Sequence, residues 1–119
     1  MAKEEIHLEN GIILKIEDKI KPLSGDLHML KMTFSIVLPL DEGDVEMRPY
    51  IGDTIVRSRT FEKSGVAKTD IEKVKKTFRE SFISTTMPYI SSDKFVKRLK
   101  QRTLEEMKER QAKEKMRHA

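Results

Sequence analysis

The chain contains no cysteine and no tryptophan. Without cysteine there can be no disulfide framework, no thiolate nucleophile and no cysteine-ligated zinc or iron–sulfur cluster. The sequence also lacks any run of eighteen uncharged apolar residues, and its first residues contain no apolar stretch of signal-peptide length. We therefore expect a cytoplasmic protein that does not enter a membrane.

Recognisable catalytic motifs are missing as well. There is no Gly-x-Ser-x-Gly elbow, no glycine-rich phosphate loop and no His-Glu-x-x-His pattern. The three histidines, His7, His28 and His118, stand in no recognisable catalytic frame. We expect surface or structural roles for them, and the sequence predicts no catalytic residue.

Four acids follow the proline at position 39: Asp41, Glu42, Asp44 and Glu46. Their spacing does not fit a twelve-residue calcium loop, because the glycine is misplaced and no bidentate glutamate closes the loop. We interpret the stretch as a solvated acidic loop. No metal ligand and no cofactor is predicted.

Length and charge limit the architecture. A chain of 119 residues fits one domain with one core, so we expect a single domain over residues 1–119. The net charge of +4 is unevenly placed: residues 91–119 contain ten Lys and Arg against five acids, whereas residues 1–90 contain fourteen against fifteen. The whole positive excess therefore lies in the last segment.

Hydrophobic alternation of period two predicts strands in the first half. Residues 6–17 indicate a hairpin with a two-residue type I′ turn at Asn10-Gly11, because both residues tolerate positive φ. Residues 21–26 contain proline, serine and glycine and predict a loop. In residues 28–38 the even positions are His28 followed by five apolar residues, which predicts a long strand with one buried face.

A fourth strand is predicted over residues 54–62, where β-branched and aromatic residues are frequent. Its facing stays open: one parity buries Ile55 and Phe61 together with Arg57 and Arg59, and the other buries mostly hydroxyl side chains. This conflict favours an edge strand or a bulge.

At Thr69 the hydrophobic period changes to about 3.6, which predicts a helix. Thr69 and Glu72 fit a capping box, and Pro88 is expected to end the helix. The apolar stripe of this helix is formed by Ile71, Val74, Phe78 and Phe82.

A second helix is predicted from Ser91 or Ser92. Its stripe consists of Phe95, Val96, Leu99, Thr103 and Met107. Beyond this stripe, residues 108–119 predict a frayed, charged helical tail.

These elements predict an α+β fold. We expect an antiparallel sheet of about four strands, with an N-terminal hairpin, a long third strand and an edge fourth strand, followed by two C-terminal helices packed on one sheet face. The sheet face is expected to present Leu14, Leu30, Phe34 and Ile36 to Phe78 and Phe82.

The basic segment 94–102 is the main functional feature. It contains five cations and no acid: Lys94, Lys97, Arg98, Lys100 and Arg102. Such a helix face is typical of a solvated surface, but it also suits phosphate contacts. Only two tyrosines are present for base stacking, and we expect Tyr89 to pack in the bend between the helices.

Our leading hypothesis is a non-enzymatic binding or adaptor protein that contacts nucleic acid, or another anionic partner such as an acidic protein surface, through this segment. Two alternatives stay open. One is a homo-oligomeric interaction module, such as a homodimer, in which the edge strand or the long helix forms the contact. The other is a small enzyme or ligand-binding fold whose site combines His28, Arg57 and Arg59.

Overall fold

A computed structural model describes residues 3–117. Four strands form one antiparallel sheet in the order β1-β2-β3-β4. Their bounds are β1 Lys3–His7, β2 Ile13–Ser24, β3 Leu27–Pro39 and β4 Thr54–Ala67. The predicted α+β arrangement, with a sheet first and helices after it, is confirmed.

Three α-helices and two 3-10 turns complete the described chain. The helices are α1 Arg48–Ile51, α2 Ile71–Ile90 and α3 Asp93–Arg117. The 3-10 turns are Glu42–Asp44, between β3 and α1, and Lys68–Asp70, before α2. No helix in the described part of the chain is both long and apolar enough to cross a bilayer.

The sheet has one buried face, and the strand register determines which residues lie on it. Leu14 pairs with Ile36, and Ile36 pairs with Arg57 of β4. Ile55 is buried on this face while Val56 is 53 % exposed on the other. Since side chains alternate along a strand, β4 therefore directs its odd positions inward from Ile55 to Phe61, its two arginines included. A register shift against β3 follows between Lys63 and Val66, and beyond it the even-numbered Val66 is buried.

Two apolar clusters fill the space between the sheet and the helices. In the first, the ring of Phe34 stacks on that of Phe82, with 4.3 Å between the ring centroids. Phe61 meets Phe34 edge-on and stacks on Phe78, so α2 covers the sheet face as predicted. The second cluster lies beneath the first half of α3 and consists of Ile12, Leu38, Leu40, Ile55, Ile90 and Leu99.

The first hairpin is present, but its predicted type I′ turn is wrong. The Leu8 N–H donates to the Ile12 carbonyl (2.8 Å) and the Gly11 N–H donates to the Leu8 carbonyl (3.2 Å), which leaves a three-residue loop. Gly11 has φ of 91°, while every non-glycine residue of segment 3–117 has negative φ. Asn10 instead uses its side-chain amide to donate to the Ile90 carbonyl at 2.6 Å. That contact ties the hairpin to the end of α2.

The predicted loop over residues 21–26 is also wrong, because β2 continues to Ser24 and only Gly25 and Asp26 form the turn. β1 pairs with β2 only as far as Glu17, so the later half of β2 is an edge. Pro22 is tolerated there, since one side of the strand has no partner that needs its missing N–H. A register shift follows at Pro22 and Ser24.

Both predicted boundaries of the first long helix require correction. Thr69 lies in the 3-10 turn, and Asp70 is the N-cap of α2 without a side-chain hydrogen bond, so the capping box does not form. Pro88 lies inside α2, which continues to Ile90. Pro88 removes only the bond to the Ser84 carbonyl, and both residues are exposed, so water can satisfy that carbonyl.

The start of α3 agrees with prediction, since the Ser92 hydroxyl accepts a hydrogen bond from the Phe95 N–H at 3.1 Å. The helix then continues unbroken to Arg117, well past its last half-buried residue, Met107. The described chain has a radius of gyration of 18.2 Å. A compact domain of this length would have about 13.5 Å, so the fold is elongated.

We predict that the tail of α3 opens far more often than its first half. Residues 109–116 are exposed, so little apolar burial stabilises them, whereas Leu99 and Thr103 are buried. Amide hydrogen exchange should therefore show protection at residues 99–103 and little protection beyond residue 109. Uniform protection along α3 would contradict the frayed tail.

We predict that Phe34→Ala lowers the free energy of unfolding by about 3–5 kcal/mol, because it leaves a cavity against Phe82. Phe34 is only 1 % exposed. Val56→Ala on the opposite face is the matched control and should cost less than about 1 kcal/mol. Urea denaturation measures both variants, and equal losses would contradict the assignment of the two faces.

Candidate nucleic-acid interface

One side of α3 is buried against the second apolar cluster. Leu99 and Thr103 are buried and Phe95 and Val96 are half-buried, so the inward side spans about two turns. Because side chains follow each other at about 100° around a helix, the residues between them point outward. The first half of α3 is therefore packed against the second cluster on one side and exposed on the other.

Four of the five predicted cations lie on this exposed side. Lys94, Lys97, Arg98 and Arg102 are all exposed. Within residues 3–117, no carboxylate lies within ion-pair distance of any of them. Over eight residues the helix rises about 12 Å, so four unpaired charges lie within a span of a few phosphate spacings.

Lys100 differs from its neighbours because it points toward the body of the protein. Its Nζ lies 2.9 Å from Oδ2 of Asp44, and its side chain is only 18 % exposed. The structure therefore directs this predicted contact residue into an ion pair. Lys100 is therefore not part of the exposed cationic side of α3.

Asp44 corrects the expectation of a wholly solvated acidic loop. Asp41, Glu42 and Glu46 are exposed, but Asp44 is buried in the 3-10 turn. Burial alone would raise the pKa of Asp44. The hydrogen bond from Lys100 and the bond from the Asp41 N–H outweigh it, so the pKa lies below its usual value of 3.8.

A second polar contact fastens α3 to the edge strand. Nη2 of Arg57 donates to Oγ1 of Thr103 at 3.0 Å and to Oε2 of Glu106 at 2.9 Å. This explains why an arginine occupies an inward position of β4, since its charge meets a carboxylate from α3. The same contact neutralises Glu106, which follows the basic segment 94–102 by one helical turn.

A shallow groove of about 380 Å³ runs beside the exposed arginines. Its apolar wall comes from Phe95 and Leu99, while Arg98 and Arg102 supply its charge. At its far end the Gln101 amide donates to Oε1 of Glu105 at 3.3 Å. The groove could accept a flat apolar group next to an anion.

Tyr89 does not pack in the bend between the helices, contrary to expectation. It lies in the last turn of α2 and is 73 % exposed. Only the turn at Ser91 and Ser92 separates it from α3. Its ring is therefore free to contact a partner next to the start of the basic segment.

The alternative site at His28, Arg57 and Arg59 is not assembled. His28 is next to Val66 and Arg57 next to Ile36, so about 26 Å of β3 separates them. Nδ1 of His28 lies 3.0 Å from the Asp26 carbonyl, and the guanidinium of Arg59 lies 4.9 Å from the Phe61 ring centroid. These residues share no cavity.

The remaining histidines offer no site either. Nε2 of His7 lies 3.7 Å from a carboxylate oxygen of Glu5 on the exposed sheet face. His118 lies outside the described residues. Across segment 3–117, no three His, Asp or Glu side chains cluster as a metal ion would require.

The edge prediction for β4 is confirmed, since β4 ends the strand order and pairs only with β3. It is also longer than predicted and reaches Ala67. A partner on its free edge stays a hypothesis.

Sequence reasoning missed a charged pair between the sheet and α2. Nζ of Lys75 lies 2.9 Å from Oδ2 of Asp18, and both side chains are largely buried. A signal was available, because Asp18 continues the inward parity of Leu14 and Ile16. An acid at a core position predicts a buried cation nearby.

Comparison with protein-family models, with curated proteins and with solved structures finds no match to this chain.

We predict that Asp44→Asn lowers the free energy of unfolding by about 1–3 kcal/mol at pH 7, because it leaves the ammonium of Lys100 without its counter-charge. The pKa of Asp44 is depressed, so its contribution is complete above the unfolded value of 3.8 and is lost as the pH falls through the folded value. The difference from the wild type should therefore shrink in acid.

Asp53→Asn is the matched control. Asp53 meets Arg48 at 3.6 Å but is exposed, so its loss should cost less than about 0.5 kcal/mol. Thermal or urea unfolding between pH 7 and pH 3 measures both variants. Equal costs, or a difference that does not change with pH, would refute the role of the Asp44–Lys100 pair.

Proposed function

We propose that this chain is a non-enzymatic nucleic-acid-binding protein that contacts the phosphate backbone through the outward side of α3. One observation carries the proposal: four cations lie on the exposed side of a packed helix, and none of them is paired with an acid among residues 3–117. These cations are Lys94, Lys97, Arg98 and Arg102. We further propose a cytoplasmic location, which the absence of cysteine supports.

The physical reason is the release of counterions. Each phosphate that a lysine or arginine neutralises frees condensed cations into solution, and this gain dominates binding that does not depend on sequence. The four cations are exposed and need not break an ion pair with any residue of segment 3–117 before they meet a phosphate. Because the helix is packed against the protein, its backbone is already ordered, which reduces the entropy lost on binding.

The contacts available favour backbone binding over base reading. Contacts from lysine and arginine to phosphates carry no sequence information, whereas hydrogen bonds to base edges do. Tyr89 offers one exposed ring near the start of α3, which suits stacking on an unpaired base. We therefore expect weak sequence preference and a strong dependence on salt.

We predict that Lys97→Ala/Arg98→Ala/Arg102→Ala weakens binding to a DNA duplex of about 20 base pairs and flattens its salt dependence. If all three cations contact phosphates, the slope of log K against log salt should lose about 2.7 units. Fluorescence anisotropy over a sodium chloride series measures both quantities.

The matched control is Lys19→Ala/Lys21→Ala/Lys68→Ala, which removes the same charge from exposed sites away from α3. It should keep most of the affinity and the slope of the wild type. Equal loss in both triple variants would mean that only net charge matters, and the proposed interface would then be rejected. Tighter binding to poly-glutamate than to DNA would instead favour an acidic protein partner.

A further inference from the structure

A second groove lies between α2 and the β1–β2 edge of the sheet. Its volume is about 440 Å³, within the range of small-molecule sites. The floor is apolar and consists of Ile16 and Met32, both buried in the first cluster. We call it the Lys75 groove, after the buried lysine in its wall.

The wall of the Lys75 groove contains the buried pair of Lys75 and Asp18, 2.9 Å apart. A third group, Glu72, lies 3.4 Å from Nζ of Lys75 but is exposed at the rim. Burying an ion pair usually stabilises a fold no more than a well-packed apolar pair would. The stability of the fold alone therefore does not explain why the Lys75–Asp18 pair lines this groove.

Further charges surround the groove. Arg79 holds Glu4 through two hydrogen bonds, of 2.8 and 3.2 Å, which fixes both side chains. The bond from Arg79 lowers the pKa of Glu4. Burial tends to lower the pKa of Lys75, but the hydrogen bond and charge of Asp18 outweigh it, so the net pKa is raised. Lys75 is thus a protonated cation and not a nucleophile at neutral pH.

Two lysines at the mouth of the groove are held only loosely. Nζ of Lys3 lies 4.0 Å from Glu17, and Nζ of Lys76 lies 3.9 Å from Glu80. Both lysines are largely exposed, and exposed ion pairs of this length contribute little. The two ammonium groups can therefore leave these acids for a ligand at small cost.

We infer that the Lys75 groove binds a small organic anion. Its apolar part would lie over Ile16 and Met32, and its anionic oxygens would meet Lys3 and Lys76 at the mouth. Glu72 on the rim would disfavour a second anionic group at that end. This site is distinct from the surface of α3, and its test is independent of the proposed function.

Three probes test separately whether the site requires an apolar group and an anionic group. Phenyl phosphate has both an apolar ring and an anionic group, inorganic phosphate lacks the ring, and benzylamine has the ring with the opposite charge. In protein with labelled methyl groups, phenyl phosphate should shift the resonances of Ile16 and Met32 saturably, while those of Ile12 and Ile90 in the second cluster stay in place.

We predict that Lys3→Ala/Lys76→Ala weakens phenyl phosphate binding by about tenfold or more, since two charge contacts are lost. Lys19→Ala/Lys21→Ala, with the same charge change on the edge of β2 outside the groove, should bind as the wild type does. Neither pair of exposed substitutions endangers the fold, and unchanged methyl spectra without ligand would confirm this.

The inference is overturned if phenyl phosphate causes no saturable shift at Ile16 and Met32 up to about 10 mM. It is also overturned if benzylamine binds equally well, or if both double variants bind as the wild type does. Binding of inorganic phosphate as tight as that of phenyl phosphate would exclude the apolar contact with Ile16 and Met32.

Discussion

The rotation of α3 about its own axis determines which charges this protein presents. Three contacts set that rotation: Leu99 is buried in the second cluster, Lys100 is bound by Asp44, and Thr103 accepts from Arg57. A helix held at three points on its inward side cannot roll without losing burial or leaving a charge unpaired. The outward direction of the remaining cations follows from this constraint.

The positive excess becomes a local surface because four cations of the basic segment are exposed on one helix and have no ion-pair partner among residues 3–117. On the sheet and α2, Lys75 meets Asp18 and Arg79 meets Glu4, so these cations have little field of their own. Among the five cations of the basic segment of α3, only Lys100 forms an ion pair with a residue of segment 3–117. A modest net charge of +4 thus yields a concentrated cationic side on a single helix.

Local pattern was enough to predict most of the fold. The alternation along β3 identified Phe34 as a core residue, and the change of period near Thr69 separated sheet from helices. The facing of β4 could not be predicted, because Arg57 contradicts its apolar neighbours until Glu106, 49 residues later, supplies a partner. Asp44 and Lys100 present the same difficulty, since their pairing depends on how α3 packs and not on sequence near either residue.

The central claim is that nucleic acid meets the outward side of α3, beside Tyr89, and not the open face of the sheet. Backbone amide shifts of the isotopically labelled protein, followed as a DNA duplex is added, test it residue by residue. We expect the largest shifts at residues 94–102 and unchanged signals for Thr33 and Thr60 on the open sheet face. Shifts centred on the sheet, or none at saturating DNA, would contradict it.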